Sequence, residues 1–234
     1  MCIRDRSIYY ASLRVRPDTL FTINYLSTRV KDATSREYKH ALRLLKYIKG
    51  TLDVMLVLKP SGTRVHLYVD ASYGIHPNGR SHSGAVVCLG GDSPSLGLDG
   101  AMFCRTSVQK FVTVSSTEAE MSAAYEQHQL LAFYRQLLSE LGIEQVEPSL
   151  LMQDNAAAEL NFTRRGGPRG RTMPLNVRYY YLVELIEDGV LTIVKIDTAD
   201  MLADVLTKPF YSSADIPLVQ RLLNDRAWMD PSDL

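Results

Sequence analysis

Between residues 65 and 70 apolar and polar side chains alternate, Val65, Leu67 and Val69 against His66, Tyr68 and Asp70, and that period of two predicts a strand. Upstream, residues 8 to 58 follow a helical pattern, with Leu42, Leu45, Tyr47 and Ile48 on one face and Arg43, Lys46 and Lys49 on the other until Gly50 ends the run. Pro60, Ser61 and Gly62 mark a linker between the two patterns. Downstream of a turn-rich loop (Gly74 to Gly84), the runs AVVCL (85–89), AMFCR (101–105) and VQKFVTV (108–114) predict a short antiparallel meander. Three or four strands therefore precede the first long helix of this part of the chain.

That helix is predicted to start after the capping run Ser115, Ser116, Thr117 and to reach Leu141, with Gly142 beyond its end. Met121, Tyr125, His128 and Ala132, flanked by Leu130, Phe133, Leu137 and Leu141, give it an apolar stripe wide enough to cover a sheet. LLMQ (150–153) then predicts a buried strand and NAAAELNF (155–162) a short helix. VRYYYLVELIED (177–188) predicts a helix closed by Gly189, VLTIVKI (190–196) a strand, and ADMLADVLTK (199–208) a helix stopped by Pro209. Ile216 to Leu223 is an apolar stretch expected to dock as a terminal helix. The order of elements predicts an α/β domain, a mixed sheet with helices on its faces, preceded by a helical segment.

Composition changes this picture little. Hydrophobic residues make up 46% of the 234 and charged residues 22%, an ordinary globular balance, and no apolar run approaches the roughly 18 residues of a membrane span, so no membrane partner is expected. The 26 basic residues equal the 26 acidic ones, so any attraction to a polyanion must come from local patches. Cys2, Cys88 and Cys104 are odd in number and lack C-x-x-C spacing, which argues against a disulfide framework and against a zinc site. The opening MCIRDRS resembles a non-native leader. The expected division is leader 1–7, helical segment 8–60, α/β domain 61–210 and tail 211–234.

The chemistry is carried by four acids placed where acids are costly. Asp70 ends the alternating run, Asp154 follows the apolar SLLMQ, and Asp204 interrupts MLADVL among Met201, Leu202, Val205 and Leu206. The fourth is Glu118 or Glu120: two positions on a helix lie about 200° apart, so only one of them can face Asp70. Ser115 and Glu118 fit a capping box, and so do Thr117 and Glu120. Carboxylates gathered together repel and raise one another's pKa, and hard cations that prefer oxygen ligands relieve that repulsion, so a divalent metal site is the economical explanation. Taken singly, Asp70 is also a turn residue and Asp154 an N-cap. Five arginines, Arg164, Arg165, Arg169, Arg171 and Arg178, lie between Leu160 and Val183 with no acid among them, a composition suited either to a solvated loop or to phosphate binding.

YVDASYG, RSHSG, SSTEAEMSAA, QDNAAAELN, NVRYYYL and ADMLADVLTKPF, in this order, resemble the ribonuclease H region of copia-type retrotransposon polyproteins. RVRPDTLFTINYLS and HALRLLKYIKGTLD resemble the segment that joins reverse transcriptase to it. The resemblance implies a ribonuclease H-like five-stranded mixed sheet, with the first three strands antiparallel and the fourth and fifth parallel to the first. It also implies metal-binding and catalytic roles for Asp70, Glu120, Asp154 and Asp204, with two Mg²⁺ ions, or Mn²⁺ in their place, as cofactors. The implied substrate is an RNA/DNA hybrid whose RNA strand is hydrolysed, held by the arginines. The implied partner is the upstream reverse transcriptase domain, and the implied location is the cytoplasmic virus-like particle of the element. The chain departs from the family at Pro174, Asn176 and Tyr180, where relatives often carry His, Asp and His, which leaves a binding module without turnover as the alternative. An integrase-like nuclease of the same fold is a third reading.

Overall fold

In the computed structural model the described residues are 3–94, 99–155, 173–209 and 216–224. Five strands form one sheet: β1 (Arg64–Ser72), β2 (His82–Gly90), β3 (Phe103–Val108), β4 (Ser149–Gln153) and β5 (Leu191–Lys195). Their spatial order is β3-β2-β1-β4-β5, with β1/β2 and β2/β3 antiparallel and β1/β4 and β4/β5 parallel. This is the mixed ribonuclease H-like sheet, with β1 at its centre.

Helix α4 (Ser116–Glu140) starts where Ser115 caps it: the Ser115 hydroxyl accepts from the Glu118 N–H at 3.2 Å. The Glu118 carboxylate reaches back past the expected box partner and accepts from the Val114 N–H at 2.7 Å. Gly142 and Gly189, at φ +81° and +69°, follow α4 and α5 (Met173–Glu187) in the left-handed conformation that suits a helix end. Both helices cover one sheet face: Val65, Leu67, Val69, Ala85, Val87 and Leu151 pack with Ala119, Ala123, Leu131, Leu138, Tyr179 and Leu182.

The opposite face, on which the sequence places His66, Tyr68 and Asp70, is buried as well. Tyr68, Val86, Leu150 and Met152 share a core with Leu20 and Ile23 of α2 (Leu20–Thr28), Leu44 of α3 (Ser35–Gly50), and Val219 and Leu222 of α6 (Ile216–Leu223). The helical segment, which also includes α1 (Ile3–Arg14), thus completes the sheet's second layer. It is fastened within itself by buried Asp18, which pairs with Arg16 at 2.8 Å and accepts from the Tyr47 hydroxyl at 2.8 Å, while Arg16 donates to the Thr51 carbonyl at 2.9 Å.

Several sequence expectations are corrected. On α3 the buried residue is Leu44, supported by Ile48 and Tyr47, whereas Leu42 and Leu45 are exposed: the helix meets the core along a narrow stripe rotated from the predicted one. The run VQKFVTV is no separate strand. β3 ends at Val108; the Gln109 N–H still donates to the Ser81 carbonyl at 2.9 Å, while its buried side-chain amide donates to Ser83 Oγ and the Ala119 carbonyl. Residues 199–208 form no continuous helix but two 3-10 turns, Thr198–Asp200 and Leu202–Leu206, separated by Met201 in an extended conformation (φ −77°, ψ 91°). The successive Tyr179, Tyr180 and Tyr181 are expected from the sequence to give two core residues and one surface residue, but only Tyr179 is buried, because a helix turns about 100° per residue and presents one of three to the core. Of the expected helix 155–162, all but residue 155 lies outside the described residues.

Candidate metal centre

The sheet register brings the first two acids together. Tyr68 pairs with Met152 across the parallel β1/β4 ladder, and the same offset carries Asp70 level with Asp154, just beyond Gln153 at the end of β4. Parallel strands end at the same edge, so both carboxyls emerge on one side of the molecule. Glu120 reaches them from the second turn of α4, whose first turn is anchored by Ser115 and Glu118. The result is a cluster of Asp70, Glu120 and Asp154 with one carboxylate oxygen from each within 4.8 Å of the others. Asp70 and Glu120 are 2% and 6% exposed, and Asp154 is half-buried.

Asp204 approaches Asp70 from a separate element. The Leu202–Leu206 turn is locked in by buried Leu202, Ala203, Val205 and Leu206, and it carries Asp204 beside Asp70: the Lys208 ammonium lies within 4.0 Å of both carboxylates, and the Asp70 charge acts on Asp204. Space for this turn comes from Gly84, the residue paired with Asp70 across β1/β2. A Cβ there would meet Thr207 Cγ2 at 2.7 Å and the Ala203 carbonyl oxygen at 2.9 Å. The four acids singled out in the sequence therefore converge, three in a mutual set and the fourth through Asp70.

Their electrostatics are those of crowded anions. Burial raises the Glu120 carboxyl far above the carboxylate range, and the charges of Asp70 and then Asp154 raise it further, while a hydrogen bond from Gln153 pulls the other way. Burial and the Asp70 charge raise Asp204 as well, opposed by Lys208. The donor set consists of oxygens alone, crowded beyond what the protein neutralises, and it fits a hard divalent cation.

Three neighbours escaped the sequence reading. Gln153 donates to Glu120 Oε2 at 2.8 Å and to the Val69 carbonyl at 3.3 Å. The Thr207 hydroxyl donates to Asp70 Oδ2, and the Lys208 ammonium lies 2.6 Å from Asp204 Oδ1 and 4.0 Å from Asp70 Oδ2. Their sequence signal was adjacency: Gln153 precedes Asp154 in QDN, and Thr207 and Lys208 follow Asp204 in LADVLTK. Asp154 itself accepts from Thr198 at 3.0 Å.

Of the five arginines, Arg164, Arg165, Arg169 and Arg171 lie outside the described residues. Arg178 sets its guanidinium 3.9 Å from the Phe111 ring centre and 5.5 Å from that of Tyr125. No protein-family model matches the chain. Curated relatives do. Residues of this chain are 29% identical over 203 positions, 86% of the chain, to a retrovirus-related Pol polyprotein from transposon TNT 1-94 of Nicotiana tabacum. They are 31% identical over 196 positions, 83% of the chain, to that from transposon RE2 of Arabidopsis thaliana. The relatives of this chain are Pol polyproteins from copia-type transposons, matched over most of its length. It spans only 14% and 13% of the length of these two relatives. The Gag-Pol polyprotein of transposon Ty1-ER2 from Saccharomyces cerevisiae is 25% identical over 206 residues, covering 86% of this chain and 11% of that protein.

Among solved structures, LC11-RNase H1 in complex with RNA/DNA hybrid overlaps 61% of this chain and 93% of its own, at 15% identity and TM-score 0.42. The foamy viral protease-reverse transcriptase in complex with RNA/DNA hybrid overlaps 89% of this chain and 26% of its own, at 14% identity and TM-score 0.43. Among the described residues no helix is long and apolar enough to cross a membrane.

Proposed function

We propose that this chain is the ribonuclease H of a retrotransposon Pol polyprotein and hydrolyses the RNA strand of RNA/DNA hybrids with divalent metal. The observation that carries the reading is the convergence of Asp70, Glu120 and Asp154, with Asp204 joined through Asp70. Asp70, which adjoins both the Glu120/Asp154 side and the Asp204 side, would be the ligand shared between two ions. Glu120 and Asp154 would complete one position, and Asp204 the other. When bound, a pair of Mg²⁺ ions supplies an activated water and electrostatic stabilisation of the leaving 3′ oxygen.

The chain's own residues prepare that chemistry. Gln153, fixed to the Val69 carbonyl, holds Glu120 in place, and Thr207 and Thr198 orient Asp70 and Asp154. Selectivity for the RNA strand would rest on its 2′-hydroxyls and on groove shape rather than on base sequence. Arginines 164 to 178 are the proposed phosphate contacts, the upstream reverse transcriptase is the proposed partner in the polyprotein, and the element's particle is the proposed location. The test is cleavage of a strand-labelled hybrid under Mg²⁺ or Mn²⁺ titration. Wild type should cut the RNA strand and Asp70→Asn should not, with the circular dichroism spectrum unchanged. Equal cleavage by both proteins contradicts the assignment. Binding of the hybrid by wild type with no cleavage in either metal favours a binding module that has lost turnover.

A further inference from the structure

The two sides of Asp70 are furnished differently. Toward Glu120 and Asp154 the only side-chain donors among the described contacts are uncharged: Gln153 on Glu120 and Thr198 on Asp154. Toward Asp204 a full positive charge is already in place, the Lys208 ammonium, 2.6 Å from Asp204 Oδ1 and 4.0 Å from Asp70 Oδ2. Lys208 is four residues past Asp204, just beyond the end of the same turn, and Thr207 between them donates to Asp70. The Lys208 side chain is 47% exposed, whereas the side chains of Asp70 and Asp204 are 3% and 12% exposed. The ammonium therefore borders solvent and can leave while the carboxylates cannot follow it.

Resting on the metal-dependent reading above, we propose that Lys208 is a built-in counter-cation that makes the two metal positions unequal. It holds Asp204 and Asp70 together in the metal-free protein, and a divalent ion on that side must displace it from Asp204. Among the described residues no cation pairs with Glu120 or Asp154, so an ion on that side meets no such competitor among them. Competition for one oxygen is reciprocal: whatever the ammonium gains from Asp204, the incoming ion loses. The first ion is thus admitted without rearrangement, and the second only when Lys208 swings outward. Lys208 is a positioning residue, since none of this requires it to touch the reacting atoms.

The test is calorimetric titration of the full chain with Mn²⁺ and with Mg²⁺ in the absence of nucleic acid. For wild type the expected result is one favourable loading step and one much weaker step. Lys208→Met should tighten the weaker step by roughly tenfold, a typical coupling between adjacent sites, and leave the stronger within about twofold. Lys208→Arg keeps the cation and should titrate as wild type does. Lys208→Gln is read in the same way as Lys208→Met and serves if the methionine variant fails to fold. An unchanged weaker step overturns the proposal, and so does an equal tightening of both steps, which would mark a general charge effect. A wild-type chain that binds no divalent ion overturns the metal-dependent reading together with this one, whereas hybrid cleavage with an unaltered Lys208→Met titration overturns this one alone.

Discussion

Replacing Gly84 by alanine adds one methyl group at the point where the sheet and the Asp204 turn touch. Alanine is ordinarily the better strand residue, by roughly 0.5 to 1 kcal/mol, so without the turn the change should stabilise. Here the new Cβ would lie 2.7 Å from Thr207 Cγ2, 2.9 Å from the Ala203 carbonyl oxygen and 2.9 Å from Leu206 Cβ. Rotation of Thr207 relieves only the first contact, and at the expense of its hydrogen bond to Asp70; the other two involve a backbone atom and a β-carbon. Reaching the usual 3.5 Å or more between atoms requires the turn to retreat by about 0.6 to 1 Å. Overpacking of this kind costs about 1 to 3 kcal/mol, which outweighs the propensity gain. The melting temperature should fall by roughly 2 to 12 °C for a chain of this size. Cleavage should suffer more, because a shift of about 1 Å in a reacting constellation costs on the order of a hundredfold. Single-turnover cleavage of a labelled hybrid and thermal unfolding, measured on Gly84→Ala and on the double variant with Thr207→Ser, separate the contributions. The serine keeps the hydroxyl on Asp70 and removes the methyl group, so it should restore part of both losses. Wild-type cleavage by Gly84→Ala would refute the idea that this glycine sets the position of Asp204.

Three further outcomes follow from the same geometry. In EDTA, Glu120, raised to about 9 from an unfolded value near 4.5, contributes stability that is fully present below pH 4.5 and lost as the pH rises toward 9. Melting temperature should therefore decline across that window, less steeply in Asp70→Asn; equal slopes in the two proteins would remove Asp70 as a cause. His82, buried against His76 and lowered to about 3 from 6.5, behaves in the opposite sense: its contribution is present above pH 6.5 and is lost as the pH falls through 3. His82→Gln should flatten urea-unfolding stability between these limits, and an unaltered acid limb would show that the proton uptake lies elsewhere. Leu20, fully buried where α2 meets the sheet, should cost about 2 to 5 kcal/mol when cut to alanine, and urea unfolding followed by two probes should remain one transition. A chain lacking residues 1–58 that still melted sharply would contradict the shared core.

The local pattern carried β1, α4, β4, α5 and β5, because each has its own period and its own stop: the alternation at 65–70, Ser115 before α4, Gly142 and Gly189 after the helices. It failed where distant chain decides the conformation. Residues 109–114 have strand composition, yet the strand stops at Val108 and the Gln109 side chain binds Ser83 of β2 and Ala119 of α4. Residues 199–208 have helix composition, yet the bend at Met201 lets Met201 and the second turn bury apolar side chains under the sheet, while the first turn, Thr198–Asp200, buries none. Tyr68 and His66 read as a polar face because nothing in their own strand reveals that α2, α3 and α6 cover it.

The acids were legible for a different reason, which explains why their supporting residues were not. A carboxyl at the end of an apolar run is conspicuous by its cost, so Asp70, Asp154 and Asp204 stand out one at a time, before anything is known of their neighbours. Glu120 did not stand out from Glu118 on pattern alone, since both sit three residues past a possible cap. Placement separates them: Glu118 is spent on Val114 and the helix start, and Glu120 turns toward Asp70. Gln153, Thr207 and Lys208 carry no such penalty where they stand, and their importance exists only in the contact. What brings the acids together is the register of β1 against β4. A slip of one residue there would turn Asp70 to the face covered by α4 and α5 while leaving Asp154 in place. The arrangement of the centre is thus set by the parallel pairing of two central strands, with the turn over Gly84 adding the fourth carboxyl afterwards.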